Sequence, residues 1–119
     1  MTDSTTLQRF IDGYVRAWRS NSPDDIRAIF TDDAAYRYEP YSEPLLGRDA
    51  IASSWIERQD EAGTWSFDWT LVAVDADVAV VEGRTVYEGE KTYRNLWIIR
   101  LSDDGRASSF TEWYMAEED

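Results

Sequence analysis

From Trp65 onward the chain consists of four alternating runs joined by very short turns, and this pattern limits the fold more than any other feature. Trp65, Phe67, Trp69 and Leu71 alternate with Ser66, Asp68, Thr70 and Val72, the period of a strand with one buried face. Asp75-Ala76-Asp77 turns the chain into a second run, Val78–Tyr87. Glu88-Gly89-Glu90 turns it into a third, Lys91–Leu101, and Ser102-Asp103-Asp104-Gly105 into a fourth, Arg106–Met115. Loops this short connect antiparallel neighbours.

The first half reads differently. Leu7, Phe10, Ile11, Tyr14, Val15 and Trp18 share one face of a helix that Ser4 or Thr5 can cap and Asn21 ends. Ser22-Pro23-Asp24-Asp25 starts a second, short helix: a serine cap, proline in the first turn, and acids at the positive end of the dipole. Thr31-Asp32-Asp33 reads as a turn and Ala34–Glu39 as a strand with Tyr36 and Tyr38 on one side. Pro40 and Pro44 make Pro40–Leu46 irregular. A third helix is expected over Asp49–Glu61, with Ile51 and Trp55 inward and Ala62-Gly63 as its stop. The whole, residues 1–119, is one α+β domain, with three N-terminal helices packed on a strongly curved, mainly antiparallel sheet. Such a sheet closed by helices forms a cone, and a cone is a pocket.

Composition bounds the chemistry. The 119 residues contain no histidine and no cysteine, so histidine-dependent triads, thiolate nucleophiles, disulfides and His/Cys zinc sites are excluded. Proton transfer is left to carboxylates, tyrosines and the only lysine, Lys91. The turn acids lack the ligand spacing of a calcium loop, and there is no glycine-rich phosphate motif, so no metal and no cofactor are expected. The formal net charge of -12, without a basic stripe, argues against nucleic acid and anionic membranes as partners. The polar Met1–Thr6 stretch has no apolar segment after it, so the expected location is the cytoplasm.

Glu112 is the leading candidate for chemistry. It shares a strand face with Phe110 and Tyr114 and points to the cavity if Phe110 does, leaving Trp113 and Met115 outward. A carboxyl group among rings is desolvated, which suits acid–base work. The alternative is a structural carboxylate hydrogen-bonded to Asn95, Tyr14 or an arginine. Glu39, before Pro40, is either aimed inward by a bulge or a solvated strand-end acid. Tyr14 lies on the buried face of the first helix and completes the catalytic candidates. Tyr38, Trp55, Trp69, Asn95, Trp97 and Phe110 are the candidate ligand contacts, since rings in this number favour a flat, apolar or aromatic molecule. A buried Asn95 orients either that ligand or Glu112. Leu96, Ile98, Trp113 and Met115 form an apolar set on the convex face, where a second copy of the chain is expected to pack.

Tyr14-Val15-Arg16-Ala17-Trp18, Ile29-Phe30-Thr31-Asp32-Asp33-Ala34, Glu39-Pro40, Gly47-Arg48-Asp49-Ala50-Ile51 and Asp104-Gly105-Arg106, in this order, resemble the nuclear transport factor 2-like superfamily. That group includes SnoaL-like polyketide cyclases, ketosteroid isomerase and limonene epoxide hydrolase. The resemblance implies a cystatin-like fold and a homodimer. Tyr93–Trp97 together with Phe110–Met115 look like a subgroup of small bacterial members without an assigned function. In the isomerases a tyrosine on the first helix donates to an oxyanion, and Tyr14 matches it. A carboxylate at the end of the first strand is the base there, and either Glu39 or Tyr38 matches it. A protonated acid on a late strand is replaced here by Trp97, so steroid isomerisation is not implied. The function expected is binding of a small molecule, with carboxylate/tyrosine proton transfer of the isomerase, cyclase or dehydratase type. The alternative is a non-catalytic binding or dimerisation module.

Overall fold

The computed structural model describes residues 3–61 and 63–117. Ala62, half of the expected helix stop, and Met1 and Thr2 of the polar N-terminal stretch lie outside the described residues.

The first helix, α1 (Ser4–Ser20), buries Leu7, Phe10, Ile11, Tyr14 and Ala17, as the spacing predicts. Its cap is Asp3 rather than Ser4 or Thr5. The Asp3 carboxylate accepts from the Thr6 backbone N–H at 2.7 Å, and that bond holds its pKa below the usual range. A charged cap complements the helix dipole better than a hydroxyl one turn position later. Asn21 ends the helix in the left-handed region, at φ 52°. Ser22 caps α2 (Pro23–Ala28) as expected. Gly13 lets the two helices approach, because a Cβ there would lie 2.7 Å from Ile29 Cγ2.

Strand β1 (Phe30–Arg37) begins four residues before the expected start, so Thr31-Asp32-Asp33 is strand and not turn. Two contacts decide this. Phe30 is fully buried, and the Ala107 N–H donates to the Ile29 carbonyl at 2.8 Å, which ties the strand entry to the last strand. A bulge between Phe30 and Ala35 lets Asp32 and Asp33 bow out to solvent. The strand also stops at Arg37, so Tyr38 and Glu39 follow it in a bend. The irregular stretch ends in a two-residue strand, β2 (Leu45–Leu46), paired with Tyr36 and Ala35.

Helix α3 (Arg48–Glu57) is shorter than the expected Asp49–Glu61 at its C-terminal end. The chain leaves the helix there because Asp60 is needed elsewhere. Its Oδ2 accepts from Trp18 Nε1 and from the Tyr87 hydroxyl, both at 2.9 Å, and its carbonyl accepts from Asn21 Nδ2. These bonds pin the segment after α3 to the end of α1 and to the sheet.

The remaining strands are β3 (Trp65–Asp75), β4 (Val78–Tyr87), β5 (Thr92–Leu101) and β6 (Ala107–Ala116). The six-stranded sheet has the order β2-β1-β6-β5-β4-β3, antiparallel except for the β1–β6 pair. The core lies between the helices and the concave face. Two rings shape its floor: Phe67 stacks on Trp97 at 4.7 Å between centroids and 16° between planes. Gly83 makes room for this stack, since a Cβ there would lie 2.5 Å from the Phe67 ring. Gly83→Ala is therefore expected to destabilise the fold by about 1–3 kcal/mol through overpacking, read as a lower urea midpoint at unchanged m-value.

Candidate functional site

Between the helices and the concave sheet lies a wide-mouthed pocket of about 1330 Å³. Its deep wall is built by register. Trp97 and Glu112 are directly opposed across β5 and β6, and Asn95 lies two residues before Trp97 on the same concave face. Glu112 Oε2 accepts from Trp97 Nε1 at 2.7 Å and from Asn95 Nδ2 at 2.9 Å. Asn95 is held in turn by the Thr85 hydroxyl, which donates to Asn95 Oδ1 at 2.8 Å. The amide is thus locked with its donor toward the carboxylate, and Asn95 orients Glu112.

The Glu112 carboxyl group is deeply buried, yet the residue keeps partial exposure and lines the pocket. Of the partners that the structural alternative named, Asn95 bonds to Glu112, whereas among the described residues neither an arginine nor Tyr14 does. Burial pushes its pKa up to about 7, against the pull of the Asn95 and Trp97 donors, which favour the charged form. Oε2 takes both bonds, and Oε1 takes none from the described residues.

Also lining the pocket, Tyr14 and Tyr36 share a hydrogen bond of 2.9 Å between their hydroxyls. Both rings stack on the buried Phe110, at 5.2 Å and 4.9 Å between centroids. Burial comes first in raising both phenols well above 10, and the nearby Glu112 charge adds to it. Both stay protonated at neutral pH. The pair owns two hydroxyl protons and spends one on the bond between them, so one remains for a ligand oxygen.

The other expected residues divide. Tyr38 and Trp55 line the pocket; the Tyr38 hydroxyl bonds Ser54 Oγ at 3.0 Å, and the Arg58 guanidinium lies 4.1 Å from the Tyr38 ring centroid. Glu39 sits at the rim, where Tyr41 and Ser42 hydroxyls donate to its two oxygens. It is held in its own turn rather than gathered with Glu112 and Tyr14. Phe110 backs the two tyrosines from the core and does not line the pocket. Trp69 lines a separate groove with Phe67 and the outer side of α1, because β3 passes behind the helix at that level.

Tyr36 and Asp60 were not among the expected residues, and neither were Arg58, Thr85 and Tyr87 of the same lining. Tyr36 was legible as the inward partner of Tyr38 in the β1 alternation. Asp60 was placed inside an expected helix, and nothing local marks it, since its partners Trp18 and Tyr87 are 42 and 27 residues away.

The match to a known family completes the site. The SnoaL-like domain pattern covers residues 11–110. The chain belongs to the SnoaL-like family. No curated protein sequence matches the chain. Among solved structures, an NTF-2 like protein of unknown function from Burkholderia xenovorans aligns over 97% of this chain and 87% of that one, with a TM-score of 0.75 at 16% identity. A putative ketosteroid isomerase from Kribbella flavida aligns over 100% and 84%, with a TM-score of 0.73 at 19% identity. An LEH-like epoxide hydrolase from M. tuberculosis aligns over 93% and 84%, with a TM-score of 0.62 at 16% identity. These likenesses establish the fold that SnoaL-like chains share. No described helix is long and apolar enough to cross a membrane.

The raised Glu112 pKa has a stability consequence. Its folded-state value near 7 lies above the ordinary 4.5, so the folded state binds the extra proton between those values. Stability from this group is fully present below about pH 4.5 and is lost as pH rises through 7, by up to roughly 3 kcal/mol. Glu112→Gln is expected to remove that slope. Urea unfolding of the two proteins at pH 5 and pH 8 checks it, and the variant should gain relative stability at the higher pH.

Proposed function

We propose that this SnoaL-like chain binds a flat, largely apolar small molecule in the aromatic pocket and moves a proton on it. Glu112 is the acid–base group, and the Tyr14–Tyr36 pair is the donor to the oxygen on which charge develops. The observation that carries the reading is a buried carboxyl group in the pocket lining, fixed by two neutral donors on one oxygen, with no cation in salt-bridge range among the described residues. A group poised near neutrality takes and returns protons with little driving force lost in either direction. In the reaction, Glu112 carboxylate removes a proton from carbon, the electron pair moves to the ligand oxygen held by the tyrosines, and protonated Glu112 returns the proton at another carbon. Returned to another carbon, the proton completes an isomerisation; delivered to the oxygen of a carbonyl attacked by the new carbon nucleophile it completes a cyclisation, and delivered to a departing hydroxyl it completes a dehydration.

The test uses 5-nitrobenzisoxazole, a flat carbon acid that ring-opens to a coloured phenolate when a base removes its proton. The rate is expected to rise with pH through a single ionisation near 7 and to fall about 100-fold or more in Glu112→Gln. An unchanged rate in Glu112→Gln would overturn the proton-transfer role. Retained binding in the same variant would leave a ligand carrier.

We also propose a homodimer through the convex sheet face. Ile98, Trp113 and Met115 are 36%, 46% and 70% exposed there, on strands whose other face is core. Apolar surface of this kind is covered in stable assemblies. Light scattering is expected to report twice the chain mass, and Trp113→Glu to return it to the single-chain value.

A further inference from the structure

We infer that the ligand of this pocket carries a protonated amine, seated against Asp60 and Tyr87 near the mouth, with its carbon skeleton reaching inward to Glu112. The inference deepens the proposed function and rests on it.

Three observations carry it. First, Glu112 and Asp60, like Glu39 at the rim, take their hydrogen bonds from neutral donors alone. Glu112 accepts from Asn95 and Trp97, and Asp60 accepts from Trp18 and Tyr87. Each takes both bonds on Oε2 or Oδ2, which leaves its other oxygen without a bond from the described residues. Neither has an arginine or lysine in salt-bridge range among the described residues. Tyr87 lies between the two charges: it donates to Asp60, and both Asp60 and Glu112 raise its pKa after burial has done so. Glu112 is deeply buried and Asp60 half-buried, and a carboxylate withdrawn from water without a cation from the described residues is a place where a cation from outside gains.

Second, the balance of the lining is one-sided. Six carboxylates line the pocket against Arg58 and Lys91. Arg58 is already stacked on Tyr38. A mouth of this sign concentrates cations and turns away carboxylates and phosphates.

Third, the walls suit a cation. Tyr14, Trp55 and Trp97 line the pocket with rings, and Arg58 over Tyr38 shows one ring of this pocket already holding a guanidinium. The carboxylates set the charge of the ligand, and the rings set its shape.

The test is a matched series on one flat skeleton, titrated calorimetrically into the full chain: naphthylmethylamine, naphthalenemethanol and naphthoate. The amine is expected to bind about tenfold or more tighter than the alcohol, and naphthoate more weakly than both. Raising the salt concentration should weaken the amine alone. Asp60→Asn keeps the size of the side chain and an acceptor for Trp18 and Tyr87. It should bring the amine down to the affinity of the alcohol while the alcohol is bound as before. Equal binding of amine and alcohol, or tighter binding of naphthoate, would overturn the amine and leave the proposed pocket function standing. If none of the three binds, while circular dichroism shows the chain folded, both readings fall.

Discussion

Glu112 occupies a position that costs free energy: its carboxyl group is desolvated, and only neutral groups compensate it. Much of the surrounding structure serves to hold it there. Trp97 opposes it across the β5–β6 ladder and donates its indole N–H. Asn95 donates beside it and is itself locked by Thr85. Phe67 packs flat on Trp97, and that packing requires the missing side chain at Gly83. A buried polar chain of this kind is favourable only when each member is satisfied. The exception is Oε1 of Glu112, which takes no bond from the described residues and belongs to a side chain that lines the pocket.

The pocket lining divides the electrostatic work. The two tyrosine hydroxyls are kept protonated by burial and by the neighbouring carboxylate. Asp60, tied to α1 and β4, lines the same pocket. The pocket thus gathers protonated hydroxyls, the buried Glu112 carboxyl group and the Asp60 carboxylate, groups that complement opposite polarities of a bound molecule.

Much of the fold was legible because it depends on local periodicity. Leu7 to Trp18 read as one helical face and is one, and the four C-terminal runs alternate because each strand has a core side. The departures share another cause, contacts distant in sequence. Thr31–Asp33 carries the marks of a turn, yet it is strand because Phe30 and the Ile29 carbonyl are drawn to β6, some 77 residues on. Gln59 to Glu61 carries no helix breaker, yet α3 ends before it because Asp60 bonds Trp18 and Tyr87. The site divides in the same way. Glu112, Asn95 and Trp97 follow from strand parity, which places alternate residues on the concave face. Trp69 has the inward parity of Trp65 and Phe67 but lines a separate groove with Phe67, since parity gives the face of a sheet and not the level along it.

The sequence by itself therefore determined the class of fold, the inward face of each long element and the restriction of chemistry to carboxylates and tyrosines. Those properties depend on periods of 2 and 3.6 residues and on which side chains the chain contains. Tertiary structure alone decided that Tyr36 completes the hydroxyl pair with Tyr14, that Glu39 is held in its own turn, and that Asp60 joins the pocket. Each is a hydrogen bond or stack whose geometry exists only after strands and helices far apart in the chain have been brought together.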